Sequence, residues 1–198
     1  MLGSAGAAVL AAEQGVEVRR LGYRLDKALE IAHSQRLGHV VGVSGFFTTL
    51  VGYARHRRPG HAELAAWLSE RQCADYWGHV VRPDGFGRWQ EADHEIPFFL
   101  EYDRGTEPLD RLAAKLVAYQ ELAVATKIPT PVLFWLPSSG REVSVREALA
   151  NEHRWARVRF VVATASPTLA LGPAEAAWLP LEETWPRRRL VELDDEGD

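Results

Sequence analysis

The stretch RPDGFGRWQEADHEIPFFLEYDRGTE, residues Arg82 to Glu107, combines the pattern of a buried strand with several acidic residues. It places a dense apolar and aromatic run, Ile96 to Tyr102, between a Pro-Asp-Gly turn and an acidic cluster. A run of this kind, bounded by turn residues, predicts a central strand of a sheet. Burying a carboxylate on such a strand is costly unless another group pairs with it or binds it. The acidic residues therefore indicate either a structural ion-pair network or a functional site.

Helical and strand patterns alternate on both sides of this run. The predicted elements are a helix capped by Ser44, a strand at residues 62–70, a strand or hairpin from Pro83, the central strand, a helix from Thr106 to Leu122, and then a strand, a helix and a strand at residues 129–137, 141–152 and 160–163. Residues 62–70 are compatible with either helix or strand, and the pattern favours a strand. This order predicts an α/β fold with one mixed central sheet and flanking helices.

The bulk composition excludes several classes of protein. A chain of 198 residues with 46% hydrophobic and 25% charged residues is an ordinary globular protein rather than a disordered one. The single cysteine, Cys73, excludes an intrachain disulfide and suits a reducing compartment. No apolar run in the sequence approaches the roughly 20 residues that span a bilayer. We therefore expect a cytoplasmic protein without a membrane partner.

The charge distribution says more about nucleic acid than the net charge does. A net charge of −4 gives no overall case for phosphate binding, which needs Lys and Arg. Arginine nevertheless clusters at residues 55–58, 154–159 and 187–189. These clusters are typical of solvated surface, and they leave room for local basic patches.

The acidic residues of the opening stretch have a spacing that favours one site. Side chains two apart on a strand project to the same face, so Glu101 and Asp103 are predicted to point together. Asp84 lies 17 residues before Glu101, a spacing that one hairpin uses up. Three converging carboxylates would form a hard-oxygen site suited to Mg²⁺ or Mn²⁺. Lys115 and Tyr119 share one face of the next helix, where the lysine could offset this charge.

Structural explanations compete with each of these assignments. Asp84 in a Pro-Asp-Gly turn can bond its own backbone. Glu101 and Asp103 can pair with nearby arginines, of which the sequence offers Arg82, Arg88 and Arg104. The histidines and the single cysteine show no zinc-ligand spacing, and the sequence contains neither a nucleophile elbow nor a glycine-rich phosphate loop.

The same residues resemble the PD-(D/E)XK nuclease-like, or restriction-endonuclease-like, fold. Pro83-Asp84 matches the first half of that motif and Glu101 the acidic residue of its second half, while Glu70 would be the additional glutamate of many members. Asp103 stands where a lysine is expected, and some members carry that lysine on the following helix, which would make Lys115 the substitute. The resemblance implies phosphodiester hydrolysis, with Asp84, Glu101 and Asp103 holding Mg²⁺ or Mn²⁺ and Lys115 positioning water or neutralising charge.

A second resemblance covers about Gly3 to Pro180. RLGHVVGVSGFF, VRPDGFGRW, FFLEYDRGTEPLDRLAAKLVAY and PTPVLFWLPS look like the replication-relaxation family of actinobacterial and plasmid-borne proteins. Members typically carry an N-terminal winged-helix DNA-binding domain, most of which would be absent here. The resemblance implies three parts: residues 1–40 as the end of a winged-helix module with a linker helix near residues 25–35, residues 41–180 as the nuclease-like domain, and residues 181–198 as a charged tail.

These resemblances imply a DNA-associated protein of the plasmid replication, relaxation or mobilisation type, with DNA as a partner and protein partners or a homodimer in addition. One hypothesis is a metal-dependent DNA endonuclease or nickase. The alternative is a non-catalytic DNA-binding or protein-interaction module with a degenerate nuclease fold, and a third is an adaptor whose acidic cluster is purely structural. The nuclease hypothesis requires that Lys115 reach the acidic residues.

Overall fold

The computed structural model describes residues 4–21, 35–58, 60–156, 160–167 and 171–193. Contacts divide the chain into two units, Met1–Gly42 and Val43–Asp198. The first unit contains helix α1 (Ser4–Glu13), a 3-10 turn (Val18–Leu21) and the beginning of helix α2 (Gln35–Arg55). The predicted linker helix near residues 25–35 lies almost entirely outside the described residues. The assignment of residues 1–40 to a winged-helix module stays a prediction.

An open six-stranded sheet forms the frame of the second unit. Its strands are β1 (Ala62–Ser69), β2 (Gly85–Glu91), β3 (His94–Tyr102), β4 (Val132–Trp135), β5 (Val162–Ala165) and β6 (Leu179–Pro180). They lie in the sheet in chain order. The first three strands form an antiparallel meander, β3, β4 and β5 run parallel, and β6 returns antiparallel. The predicted α/β fold with a mixed sheet is confirmed.

The helices of this unit follow from the strand directions. Parallel neighbours need crossover connections, and helices supply both of them. Helix α4 (Leu109–Thr126) joins β3 to β4, and helix α5 (Ser139–Ala156) joins β4 to β5. Helix α3 (Glu70–Trp77) lies between β1 and β2, and a 3-10 turn (Leu190–Leu193) ends the described chain.

One face of the sheet is covered by α2 and the C-terminal segment. Phe46, Phe47 and Leu50 of α2 are buried against strand residues that include Trp89, Phe98 and Trp135. The region predicted as a charged tail also contributes to this core, because Leu190 and Leu193 are buried in it. Residues 194–198 of that tail lie outside the described residues.

The opposite face of the sheet is covered by α4 and α5. Leu112 and Leu116 of α4 pack with Val145 of α5 against strand residues that include Phe99 and Phe134. Neighbouring residues of a strand face opposite sides, so Phe98 and Leu100 enter the first core while Phe99 enters the second. Glu101 follows the same alternation and therefore faces α4.

The observed helices differ from the sequence predictions in three details. Ser44 is not a helix cap, because α2 begins at Gln35 and continues through it to Arg55. The helix predicted to begin at Thr106, α4, begins at Leu109 after Pro108. Helix α3 was not predicted, because its eight residues, with Cys73 as the buried one, are too few for a helical period to be recognised.

Helix α2 also has the length and composition of a membrane span. Among the described residues one helix segment, Arg36–Arg55, meets that criterion. Phe46, Phe47 and Leu50 of this segment are at most 4% exposed, because they pack in the core. Their burial accounts for part of the apolar character of the segment, of which 22% is buried; Val40 and Val41 are 45% and 61% exposed.

Gly87 on β2 provides a test of the packing between α2 and the sheet. A Cβ at Gly87 would lie 2.5 Å from a Phe98 ring carbon and 3.0 Å from a Phe47 ring carbon. We expect Gly87→Ala to lower the free energy of unfolding by about 2 kcal/mol, because the overpacked rings must move. Chemical denaturation with a matched helix control, Gly52→Ala, measures this.

Gly52 lies on α2, and a Cβ added there would meet no atom within 4 Å. Its replacement should be neutral or stabilising by up to about 1 kcal/mol, because alanine is the better helix former. Equal effects of the two substitutions would contradict the described packing.

Candidate functional site

The centre of the candidate site is the buried carboxylate of Glu101, near the end of β3. The residue is 1% exposed. Lys115 Nζ lies 2.7 Å from its Oε2, and the Tyr119 hydroxyl donates to its Oε1 at 2.5 Å. Lys115 and Tyr119 lie one turn apart on α4, so one helix face supplies both donors. Lys115 therefore reaches one of the acidic residues, Glu101, which is the contact that the nuclease hypothesis requires.

Asp84 reaches the same place from the turn before β2. Its backbone N–H donates to the Leu100 carbonyl at 3.1 Å, and its Oδ2 accepts the Tyr102 N–H at 2.7 Å. These bonds extend the β2–β3 hairpin, in which Gly85 is paired with Leu100. The carboxylate is thereby bonded to the backbone of the strand that carries Glu101. The 17-residue spacing predicted a hairpin that brings Asp84 beside the strand of Glu101, and these bonds have that effect.

The pKa shifts show that these groups act on one another. Burial raises the pKa of Glu101 to about 7 against the opposing effect of Lys115, and the charge of Asp84 adds to the rise. Burial lowers the pKa of Lys115, but Glu101 and Asp84 outweigh it and the pKa is raised. Burial and the charge of Glu101 raise the pKa of the Tyr119 hydroxyl. Tyr119 is therefore a hydrogen-bond donor to Glu101 rather than an anion.

The cluster carries excess negative charge when its carboxylates are ionised. Lys115 also lies 3.2 Å from Glu107 Oε2, and this contact is partly exposed. One ammonium group thus faces Asp84, Glu101 and Glu107. Excess negative charge on oxygen donors favours a cation at the cluster.

Asp103 belongs to a different network. Its Oδ1 accepts the Gly105 N–H at 2.8 Å, and its Oδ2 accepts Nε–H of Arg141 at 2.6 Å. Arg141, at the start of α5, also donates to the Glu107 carbonyl at 2.5 Å. Asp103 thus fastens the loop after β3 to α5. Arginine pairing was expected for it, but from Arg82, Arg88 or Arg104 rather than from Arg141.

The three predicted carboxylates do not form one group. Within the ranges that the structure describes, no cluster of three or more His, Cys, Asp or Glu side chains could hold a metal ion. Asp103 still continues the β3–β4 ladder, because its N–H donates to the Trp135 carbonyl at 3.0 Å, but its carboxylate is bound by Gly105 and Arg141. A metal-binding role for Asp84 and Glu101 stays a prediction.

Helix α3 brings a residue to the site that the sequence did not indicate. Cys73 is fully buried, with Sγ 3.8 Å from the Leu68 carbonyl oxygen. Burial, followed by the charges of Asp84 and Glu101, raises its pKa to about 12. Glu70, the additional glutamate that the resemblance implied, begins the same helix with an exposed side chain and acts on the Cys73 thiol more weakly.

Removing the lysine tests the pairing of Glu101. We expect Lys115→Met to lower the free energy of unfolding at pH 8 by about 3 kcal/mol, because it leaves a buried carboxylate without its cation. The double variant Glu101→Gln/Lys115→Met should recover at least about 1 kcal/mol of this loss. Urea denaturation measures both. Lys127→Met, at the exposed end of α4, is the matched control and should change stability by less than about 0.5 kcal/mol.

The sign of the pH dependence provides a second check on this pair. Below pH 7 the Glu101 carboxyl takes up a proton, so the methionine variant no longer buries an unpaired charge. The destabilisation should therefore be smaller at pH 5.5 than at pH 8. A loss that is independent of pH would mean that Lys115 acts through packing alone.

Cys73 reports on the burial of α3 behind the cluster. With a pKa of about 12, its thiol holds almost no thiolate at pH 8.5, and the thiolate is the form that alkylating agents attack. We expect iodoacetamide to leave the native protein unlabelled at this pH and to label it fully in denaturant, as read by mass spectrometry. Rapid labelling of the native protein would show that α3 is not packed as described.

The chain matches the model of the replication-relaxation family over residues 1–132. The match ends at the start of β4, before the Pro180 that the resemblance suggested, and it includes Asp84, Glu101 and Lys115. No curated protein and no solved structure matches the chain significantly. The family match nevertheless covers well over half of the 198 residues. The chain belongs to the replication-relaxation family.

Proposed function

We propose that this protein acts on DNA in plasmid replication, relaxation or mobilisation in the cytoplasm, and that it hydrolyses phosphodiester bonds with Mg²⁺ or Mn²⁺. The family supports the association with DNA replication or relaxation. The observation that carries the catalytic part is the 2.7 Å contact between Lys115 and Glu101, beside Asp84. It joins a lysine on the helix after the acidic strand to the two carboxylates of the nuclease-like motif.

The position of the cluster in the sheet supports a restriction-endonuclease-like assignment. Asp84 precedes β2, Glu101 lies near the end of the neighbouring strand β3, and Lys115 lies on the helix that follows. The resemblance to the nuclease-like fold requires this placement when the lysine has moved from the strand to the helix. Asp103, at the usual lysine position, serves instead to bind Arg141.

Two carboxylates, rather than three, would hold the cation. Mg²⁺ at phosphoryl-transfer sites is commonly bound through one or two carboxylates, with water and substrate phosphate completing its shell. A carboxylate has about four lone-pair positions, so Glu101 can accept its two hydrogen bonds and still bind a cation. A bound divalent cation would supply an activated water and neutralise charge on the phosphate.

The protein groups have separable roles in this proposal. Tyr119 and Lys115 hold the two oxygens of Glu101 in one orientation. An ammonium group has three N–H donors, and Glu101 and Glu107 account for two of those of Lys115. The third is available for a phosphate oxygen or a water, and Lys115 is 25% exposed, so solvent reaches it. Its positive charge would stabilise negative charge that develops on the phosphate.

A non-catalytic module with a degenerate nuclease fold is the second candidate. The observation that favours it is that Lys115 and Tyr119 already satisfy both oxygens of Glu101. In that case the same cluster would only fix α4 on the sheet. The protein would bind DNA or another protein without cleaving a bond.

A nicking assay on supercoiled plasmid separates the two candidates. With Mg²⁺ or Mn²⁺ we expect cleavage by the wild type, and a loss of roughly 100-fold or more for Asp84→Asn, Glu101→Gln and Lys115→Met, because each removes a charged group at the reacting phosphate. Glu95→Gln is the matched control, since Glu95 is an exposed carboxylate on the same strand that pairs with Arg88. It should keep wild-type cleavage.

The assay also tests the reassignment of Asp103. If its role is to bind Arg141, Asp103→Asn should lower stability and keep metal-dependent cleavage in the folded protein. Plasmid binding without cleavage under any metal condition would reject hydrolysis and leave the non-catalytic candidate. Thermal melts with Mn²⁺ give an independent measure, because a cation that binds only the folded state raises the melting temperature.

A further inference from the structure

An apolar cavity of about 250 Å³ lies next to the Glu101 cluster, between the β2–β3 hairpin and α4. Its walls include four aromatic side chains, Trp77, Phe86, Phe99 and Tyr119. Helix α3 ends at Trp77, so the element that the sequence did not predict closes one side of this cavity.

The aromatic walls form a connected series of rings. The Trp77 ring lies 5.4 Å from that of Phe86 and 5.0 Å from that of Phe99, and the Phe99 and Tyr119 rings are 5.2 Å apart. These spacings are those of ordinary aromatic pairs. Ile128 also lines the cavity and is 58% exposed, so part of the lining is accessible to solvent.

Tyr119 joins the cavity to the proposed phosphate site. Its ring lines the cavity, and its hydroxyl donates to Glu101 at 2.5 Å. The two sites are therefore one side chain apart, with the apolar one against Phe99 and the polar one against Glu101, two residues further along β3. This is the arrangement expected where a base and its own phosphate bind side by side.

The lining of the cavity selects the chemistry of its occupant. Among the described residues that line it no side chain is charged, and the polar ones are the hydroxyl-bearing residues Tyr119, Thr126 and Thr130. Such a surface does not suit a phosphate or a sugar, whose polar groups would lose water without replacement. It suits a flat ring that can stack on aromatic side chains.

We propose that this cavity takes an unpaired nucleobase of the DNA strand whose phosphate lies at the Asp84–Glu101–Lys115 cluster. This inference rests on the proposed function and narrows its substrate to single-stranded DNA or DNA with an unpaired base, since a paired base must first leave its stack. Few polar groups line the cavity, so recognition occurs by stacking and tolerates different bases.

The test compares two single strands of twelve nucleotides, one of thymidines and one of abasic units that keep the sugar-phosphate backbone. Binding is measured by fluorescence anisotropy in EDTA, so that no strand is cleaved. Ala123→Phe fills the cavity from α4. We expect it to weaken binding of the thymidine strand about tenfold or more and to leave the abasic strand within about twofold, because stacking is lost.

Val124→Phe is the matched control. Val124 is the next residue of α4, is 66% exposed and does not line the cavity. It should leave binding of both strands unchanged. Equal weakening by the two phenylalanine variants, or no weakening by either, would overturn the cavity assignment.

Lys115→Met separates this inference from the proposed function. This substitution should weaken the binding of both DNA strands, because it removes a phosphate contact. Weakening of both strands by Lys115→Met, with no base-dependent effect of Ala123→Phe, would keep the phosphate site and reject the cavity. Unchanged binding of both strands in Lys115→Met would reject the phosphate site that the cavity inference requires.

Photocrosslinking uses the wild-type protein, so its result does not depend on whether a variant folds. A strand with 5-iododeoxyuridine should crosslink to Trp77 or Tyr119, as mapped by peptide mass spectrometry. Crosslinks confined to residues outside the cavity would overturn the proposal, as would the absence of any binding to the thymidine strand.

Discussion

The structure depends on how one carboxylate on a central strand avoids the cost of burial. Glu101 is removed from water between the sheet and α4, where an unpaired charge would be strongly unfavourable. Lys115 and Tyr119, on one face of α4, donate to the carboxylate and so offset the cost of its burial. Their contacts fix the rotation of that helix on the sheet, because both donors must meet the same carboxyl group. The apolar packing of α4 and the candidate chemistry thus follow from one interaction.

Glu101 differs from the other buried carboxylates that the structure describes. Asp103, Glu91 and Glu142 are paired with Arg141, Arg189 and Arg187, respectively. Arginine stays charged and matches a carboxylate with a planar fork of donors, as Arg187 does with both oxygens of Glu142. Lysine is a compact charge with rotatable donors, so its ammonium can turn toward a ligand. The arginine pairs are therefore suited to stabilise the fold, and the Lys115–Glu101 pair is suited to contact a ligand.

Local sequence pattern was sufficient to predict β3 and α4, which carry Glu101 and Lys115. It was insufficient to predict the side chains from distant parts of the sequence that pack against or pair with the sheet. The alternation along β3 predicted a strand with Glu101 on one face, and the i, i+4 spacing predicted that Lys115 and Tyr119 share one face of α4. The Asp103–Arg141 pair joins residues 38 positions apart, which no local period encodes. A bulge in β1 between Leu64 and Ala66 changes which side of the strand Trp67 occupies, and Trp67 stacks on Phe47 at 4.8 Å. Tertiary contacts of this kind override sequence periodicity.

The lysine pair and the arginine pairs also differ in how much of each pair the family match covers. Glu101 and both of its partners lie within residues 1–132, together with Asp84 and the walls of the apolar cavity. The arginines that pair with Asp103, Glu91 and Glu142 all lie beyond residue 132. The matched region therefore contains both partners of the Lys115–Glu101 pair. Arg141 and Arg189 join later elements to Asp103 and Glu91 inside that region, and the Arg187–Glu142 pair lies entirely beyond it. The match therefore covers Asp84, Glu101, Lys115 and Tyr119 together, but it covers only the aspartate of the Asp103–Arg141 pair.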